Sequence, residues 1–571
     1  MLIFKKSGKR AKIVYEQEYR LEFDKLRESF KTENNAARFA RTVSYSINPW
    51  TYVISPLGSY NIGFTSTLID KCNELGIEYS IDQELNDIIH PNLYITKIKY
   101  VTNPKYQYRD YQLVLLAKML KEGRGVILSP TRSGKSLVLA GLCHNVLLNS
   151  DKNDIKNILI VVPNLQLLEQ MADDFENYMS EKTYNIQVTI KGGTQLCFTD
   201  NDKVLLDNNE EISPLKLKRG NIISNYGKVT KININETVIT PMSWNVIKFG
   251  ANEAKINKNV WKFQDINIII SNSQWLLLHG DELPYIDMMI IDECHGMSHG
   301  AEITKLIRNV EIPFKFGCTG TMPKSIEDQW SVIGTFGPVL KELSISELQE
   351  KKVLADVSIK PIEFIHDKKE DFKNQIFDIN GNKVTDPFEV AQRIYQKESM
   401  FLSELTSTNS IIAKLAEGII KQHPDWNVLI LFDYIKQGNS LFNCLAWKNK
   451  FYIDGSVDVK DRKDIVKEMN AEDGGKITCA NAKCFGTGIT VNRIQCIFIV
   501  INGSAPTKII QSIGRGLQRN VKNTLLIFDF HHNYKYSMKH FKEREDLYIK
   551  TYKKDLLELK QIHVQSDIQK L

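Results

Sequence analysis

The hydrophobic pattern of the chain is a series of short apolar runs, each followed by a stretch of helical periodicity. GVIL (125–128), NILIVVP (157–163), MMIIDE (288–293) and FKFGCTGT (314–321) form one series. NVLILFDY (427–434), KITCANAK (476–483), CIFIVIN (496–502) and TLLIFDF (524–530) form a second. Apolar strands of this length alternating with helices predict parallel sheets covered on both faces. The chain is therefore expected to be α/β, with two tandem parallel-sheet domains over 104–345 and 346–530. Before them, residues 1–103 mix β-like runs (AKIVYEQEY, TYVIS) with a helix, FTSTLIDKCNELG, closed by Gly76. That pattern predicts a small α+β accessory domain. Residues 194–258 break the rhythm with β-prone alternation and turn signals, and predict a β-rich insertion in the first α/β domain. Residues 531–571 predict a basic helical tail.

Composition bounds the class. The 571 residues exceed what one hydrophobic core serves, so two or three domains are expected. No apolar stretch approaches the roughly 20 residues that span a bilayer, and MLIFKKSGKR lacks the apolar core of a signal peptide. A cytoplasmic protein without membrane contact is expected. Nine cysteines without a Cys-x-x-Cys pair predict buried free thiols. The net charge of +6 is mild. Its distribution, a basic arm at Lys5, Lys6, Lys9, Arg10 and Lys12 and a tail mixing cations with Tyr534, Tyr536, Tyr548 and Tyr552, suits nucleic acid or solvated surface equally.

Three motifs carry chemistry. After the strand GVIL comes SPTRSGKS (129–136), which meets the phosphate-loop pattern G-x-x-x-x-G-K-[ST] except at Ser129. Backbone N–H groups there face an anion, Gly134 permits close approach, Lys135 supplies charge and Ser136 is a magnesium ligand. An ordinary strand-to-helix turn is the alternative. Asp292 and Glu293 end the apolar strand of MMIIDECH. Adjacent carboxylates there fit a division in which Asp292 holds Mg²⁺ and Glu293 polarises the attacking water; capping of the next segment is the other reading. In QSIGRGLQR (511–519), Arg515 and Arg519 share a helix face with Gly514 beside them. They are arginine fingers if they face Lys135 across a cleft, and a salt-bridge face otherwise. His295 has no second ligand at zinc-like spacing.

Together and in this order, PTRSGKS, DECH, Thr319-Gly320-Thr321 and QSIGRGLQR resemble the superfamily 2 helicases and translocases, whose two motor domains are RecA-like. The resemblance implies ATP and Mg²⁺ as cofactors. It implies adenine reading by Gln112 in RDYQ, ATP contacts by Thr131, Ser133, Gly134, Lys135 and Ser136, and coupling through Thr319 and Thr321. Nucleic-acid contacts are implied for Pro163, Asn164 and Gln170 in PNLQLLEQ, for Gln274, and for Thr487 and Gly488 in FGTGIT. Over most of the chain apart from the insertion, the sequence is similar to the UvsW-like helicases of T-even-like bacteriophages. That likeness implies an ATP-dependent enzyme acting on branched DNA and RNA-DNA hybrids alongside phage recombination proteins; a monomer is expected. A restriction-complex motor or a duplex-translocating ATPase shares the motifs; no P-D-(x)-D/E-x-K nuclease pattern accompanies them. A binding protein with a dead ATPase site would have lost Lys135, Asp292, Glu293, Arg515 or Arg519. The insertion resembles the opening of an intein at Cys197, but it has no His-Asn end, so it is an eroded remnant or an unrelated β insert. Trp50 and Tyr52 are read as core aromatics, with base stacking as the alternative.

Overall fold

The computed structural model describes the chain except residues 35–47, 92, 96, 102, 104, 180, 192–194, 200–201, 240–244, 250–266, 298–300, 373–383, 385, 472, 486–490, 492, 504–512, 515–523, 554 and 565–571. Each apolar series becomes one seven-stranded, wholly parallel sheet. The first runs, in spatial order, Asn245–Phe249, Asn267–Asn272, Asn157–Val162, Met288–Asp292, Phe314–Thr319, Arg124–Leu128 and Val339–Glu342. The second runs Lys450–Ile453, Lys476–Asn481, Asn427–Phe432, Cys496–Val500, Thr524–His532, Asp356–His366 and Lys560–Val564. Strands such as Asn427–Phe432 and Cys496–Val500 are buried at every position, as a sheet with helices on both faces requires. The expected tandem RecA-like architecture is present.

The helix after the phosphate loop, Lys135–Leu147, is buried at every position from Leu137 to Leu147. A helix buried on all sides belongs inside a layer rather than on a surface. It is sandwiched with Asp110–Glu122 and Leu165–Met179 into the largest core, which continues into the second sheet through Leu429, Ile497 and Ile527.

The N-terminal region is a four-stranded sheet (Ser59–Tyr60, Arg10–Val14, Leu2–Ser7, Tyr79–Ile81) with its own core. The helix Thr65–Leu75 ends at Gly76 in the left-handed conformation, φ 65°, as its sequence predicts. This region is docked on the helix Ile326–Phe336 of the first motor domain. A Cβ on Gly63 would lie 2.3 Å from the Ile333 carbonyl oxygen, so only glycine permits the approach. Trp330 and Ile333 complete the N-terminal core. Trp50 is not a core residue: it is 42% exposed, with the Lys31 ammonium over its ring, while Arg27 covers Tyr52.

Three expectations shift. The β-rich insertion starts earlier than residue 194 and ends earlier than 258. Its long hairpin pairs Glu181–Ile190 with Gly227–Ile239, and it closes over a small core of Val188, Val204, Leu206, Leu217, Ile223 and Val229. Asn245–Phe249 belongs instead to the edge of the first motor sheet, where its Val246 and Ile247 follow the strand Asn267–Asn272. The tail is not a free basic helix. Lys535–Tyr552 packs on the second domain with Arg544, Tyr548 and Tyr552 buried, and Lys560–Val564 then adds an edge strand to the second sheet. Of the nine cysteines, all free, Cys197 is exposed and Cys444 and Cys484 are half-buried. No helix among the described residues is long and apolar enough to cross a membrane.

Candidate active site

Three adjacent strands of the first sheet deliver the candidate site at their C-terminal ends: Met288–Asp292, Phe314–Thr319 and Arg124–Leu128. Parallel alignment brings those ends to one edge, where ligands of open α/β sheets bind. The phosphate loop is pinned to its neighbour, since the Ser129 N–H donates to the Thr319 carbonyl at 2.9 Å. Within the loop, the Ser133 hydroxyl donates to the Pro130 carbonyl at 2.7 Å and lies 2.5 Å from the Ser129 hydroxyl. Ser129 thus does what a first-position glycine cannot, anchoring the loop by a side chain. Gly134 has φ 80° and directly precedes the helix Lys135–Leu147, whose N-terminus faces the site.

The charges meet beside the loop. Lys135 Nζ lies 3.5 Å from Glu293 Oε1 and 3.9 Å from Asp292 Oδ1. Burial pulls the Lys135 ammonium down, but the two carboxylates outweigh it and hold it above its ordinary range. Burial likewise pushes Glu293 up, against which Lys135 and His295 hold it down at about 2. Asp292 moves the other way: its burial outweighs the pull of Lys135 and raises it. Asp292 Oδ1 is also buried without a hydrogen-bond partner. A bare carboxylate oxygen in a closed site is a donor of the type a hard divalent cation takes, so the residues fit magnesium. The Ser136 hydroxyl is turned to Tyr178, 3.0 Å away.

Glu293 sits at φ 51°, a left-handed conformation uncommon for a side chain of this kind. Its second oxygen is 3.1 Å from His295 Nδ1, and His295 Nδ1 is 2.8 Å from the Thr319 hydroxyl. Thr319 in turn donates to the Thr321 carbonyl at 3.0 Å. A chain of contacts therefore runs from Lys135 through Glu293, His295 and Thr319 to Thr321.

The second domain reaches the same place. A Cβ built on Gly514 would lie 2.9 Å from Thr131 Cβ, and the Arg132 guanidinium donates to the Val491 carbonyl at 2.8 Å. Arg132 is itself left-handed, φ 70°. Sequence reasoning overlooked Arg132, Tyr111 and Tyr178; the first had a signal only in its place inside the loop. Tyr111 donates its hydroxyl to the Ser133 carbonyl at 2.8 Å. Gln112 is buried, accepting from the Arg109 N–H at 2.8 Å and donating to the Ser133 carbonyl at 3.1 Å. Its amide braces the loop here. Arg515, Arg519, Thr487 and Gly488 lie outside the described residues.

On the same edge, the neighbouring strands Asn157–Val162 and Asn267–Asn272 lead into Pro163, Asn164 and Gln274. Asn164 caps the helix Leu165–Met179 through Leu167 N–H at 2.9 Å, and Asn272 caps Ser273–His279 through Trp275 N–H at 2.9 Å. Pro163 and Gln274 are exposed, and Gln170 is half-buried one turn and more along its helix.

Comparison with known proteins agrees with this layout. Residues 105–324 match the family model described as type III restriction enzyme, res subunit, and residues 410–520 match the helicase conserved C-terminal domain. The chain is 24% identical over 516 residues to the ATP-dependent DNA helicase uvsW of Enterobacteria phage T4, covering 88% of this chain and 85% of that one. The chain belongs to the superfamily 2 helicases. This helicase is also similar to the solved structure of T4 UvsW (20% identity, TM-score 0.39, 98% and 99% of the two chains). It also resembles the Type ISP restriction-modification enzyme LlaBIII bound to DNA (13% identity, TM-score 0.49, 88% and 34% of the two chains). It is an ATP-dependent enzyme of two motor domains that binds nucleic acid.

Proposed function

We propose that this helicase moves on DNA, and that it branch-migrates or unwinds branched substrates, four-way junctions and forks, as well as RNA-DNA hybrids. The observation that carries the motor reading is the charge cluster of Lys135, Asp292 and Glu293 facing a loop that the second domain touches through Gly514. Lys135 binds the terminal phosphates of ATP, and Asp292 with Ser136 would hold magnesium. The ion supplies positive charge to the phosphates. Glu293, kept ionised, orients and polarises the attacking water, and His295 and Thr319 hold its carboxylate. Arg515 and Arg519 act from the opposite domain as transition-state cations, and Gln112 reads adenine once ATP draws its amide from the loop.

Thr319 and Thr321 link turnover to movement, because the same carboxylate that senses the phosphate is bonded to the segment leading into Ile326–Phe336. Pro163, Asn164, Gln170, Gln274, Thr487 and Gly488 contact the nucleic-acid backbone. Such contacts carry no base sequence, so selectivity is for structure and binding is salt-sensitive. The DNA reading draws on the phage relative, which is named as a DNA helicase. Phage recombination and repair, in the cytoplasm of an infected cell, is the setting that likeness suggests. The test is ATP turnover with and without a synthetic four-way DNA junction, for wild type and Lys135→Ala. Turnover that no junction stimulates would sink the branch-migration reading. A duplex translocase without strand separation is favoured by the restriction-subunit model matched at residues 105–324. Triplex displacement without junction unwinding is its signature.

A further inference from the structure

The strands that end in the nucleotide site begin, at the opposite edge of the sheet, in two buried cations. Arg124 opens one and Lys315 lies at the start of its neighbour, and the two are register partners. Both line a cleft of about 240 Å³ between the N-terminal region and the first motor domain, together with Arg308, Lys6, Lys9 and Glu311. Five cations thus face one carboxylate. Lys6 is already paired, with Glu84 at 2.8 Å and Glu311 at 3.3 Å. The hydrogen bonds of Arg124, Lys315 and the half-buried Arg308 go to neutral groups. Arg124 donates Nε to the Phe336 carbonyl and Nη1 to the Ile88 carbonyl. Arg308 donates Nε to the Thr335 hydroxyl and Nη2 to Ser331. Lys315 donates to the Ile307 and Val310 carbonyls at 2.8 and 2.6 Å.

Burial is costly, and it shows: with Arg124 beside it and against the pull of Glu311, it depresses Lys315 to about 7, and it depresses Arg124 and Arg308 to about 10. Each of these groups has more N–H donors than these bonds use, since a guanidinium carries five and an ammonium three. Forked guanidinium donors beside an ammonium match the oxygens of a phosphate group.

We infer that this cleft is a second phosphate-binding site, separate from the nucleotide loop, in which a phosphate group bridges Lys6 and Lys9 of the N-terminal region to Arg124, Arg308 and Lys315 of the motor domain. The phosphate belongs either to a free polyphosphate or to a nucleic-acid backbone. Its binding neutralises the cations that otherwise repel across the joint, and it ties the N-terminal region to the strands that carry the nucleotide site.

The test uses the full chain with Lys135→Ala, so that the nucleotide loop does not report, and inorganic pyrophosphate without magnesium, against sodium chloride at equal ionic strength. Pyrophosphate raises Tm in that protein, and Arg308→Gln added to it weakens pyrophosphate binding by calorimetry about tenfold or more, the loss of one charge-assisted contact. If pyrophosphate has no effect but Arg308→Gln and Lys9→Gln lower duplex affinity and reduce its salt slope by about one, the backbone supplies the phosphate. Absence of both responses overturns the site. Lys9 is exposed, so Lys9→Gln decides the matter should Arg308→Gln fail to fold.

Discussion

Lys135 Nζ stands 3.5 Å from Glu293 and 3.9 Å from Asp292, so a single ammonium faces two carboxylates in a buried site. The two carboxylates part company there, Glu293 held at about 2 and Asp292 raised. Groups driven apart in this way take different roles. Glu293→Gln keeps the shape and removes the charge. It is expected to reduce ATP turnover about 10² to 10⁴-fold, the range for a lost base, with ATP affinity retained. Lys135→Ala is expected to abolish both turnover and tight ATP binding. Equal loss of affinity in the two variants would contradict the division.

Gly514 is the point where the second domain meets the phosphate loop, and a Cβ there would sit 2.9 Å from Thr131 Cβ. Turnover that depends on closure falls as this contact is filled. Gly514→Ala and Gly514→Val are expected to lower kcat in that order, Val by about tenfold or more, while far-UV circular dichroism is unchanged. A Val variant with wild-type kcat would show that the working enzyme does not pass through this contact.

The motor sheets were legible because parallel strands buried on both faces must be continuously apolar, and GVIL, MMII and VLILF are. Lys135, Asp292 and Glu293 were legible for a related reason: charges at the ends of such strands demand a cause. What escaped the sequence depends on folding. Lys315 reads as a polar interruption in FKFGC, and only the register beside Arg124 makes it part of a cationic cleft. NVIKF falls within the β-prone stretch 194–258, and its alternation does not distinguish an insertion strand from an edge strand of the motor sheet, which tolerates Lys248, here 3.0 Å from Glu169. The alternating tyrosines and cations of the tail suit a nucleic-acid grip and a packed or solvated helix equally. Their partners, Asp529 among them, lie in another strand.

That tail predicts a stability effect. Arg544 Nη2 lies 2.6 Å from Asp529 Oδ1, Nε lies 2.9 Å from Oδ2, and the Tyr548 hydroxyl donates to Oδ2 at 2.6 Å. All three residues are buried. Removing one member leaves the other charge uncompensated, so Arg544→Ala is expected to cost about 3–5 kcal/mol in urea unfolding. Tyr548→Phe, which leaves the ion pair, is expected to cost about 1.5–3 kcal/mol. Equal costs would mean that packing, not charge, sets the penalty.

Buried imidazoles predict an acid limit. Burial lowers His144 and His531 from 6.5 to about 4, and His366 and His532 also fall below their ordinary value. These groups are neutral in the folded chain, and between about 4 and 6.5 the unfolded chain binds more protons. Stability is therefore full above 6.5 and is lost as pH falls towards 4, on the order of 3 kcal/mol for each of His144 and His531. Tm measured from pH 7.5 to 5 should fall steadily, and His531→Phe should flatten that slope. His531 already stacks on Phe541 at 3.8 Å, which the Phe ring preserves.

The β-rich insertion can be cut at its own stem. Glu181 and Ile239 are opposite partners at the base of the long hairpin, so the two chain ends stand one antiparallel pair apart, about 5 Å. Its hydrophobic cluster is drawn from residues 188–232 alone. Replacing residues 182–238 with a two-residue turn therefore exposes no motor core, and the strand Asn245–Phe249 still adds to the sheet through its pairing with Asn267–Asn272. Basal ATP turnover is expected to stay within about twofold of wild type, since surface changes of this kind cost little stability. Because the excised stem follows the helix that Asn164 caps, on the edge that carries Pro163 and Gln274, DNA-stimulated turnover is the quantity expected to change. A collapse of basal turnover would show that the insertion supports the nucleotide site, and an unchanged DNA response would make it a passive projection.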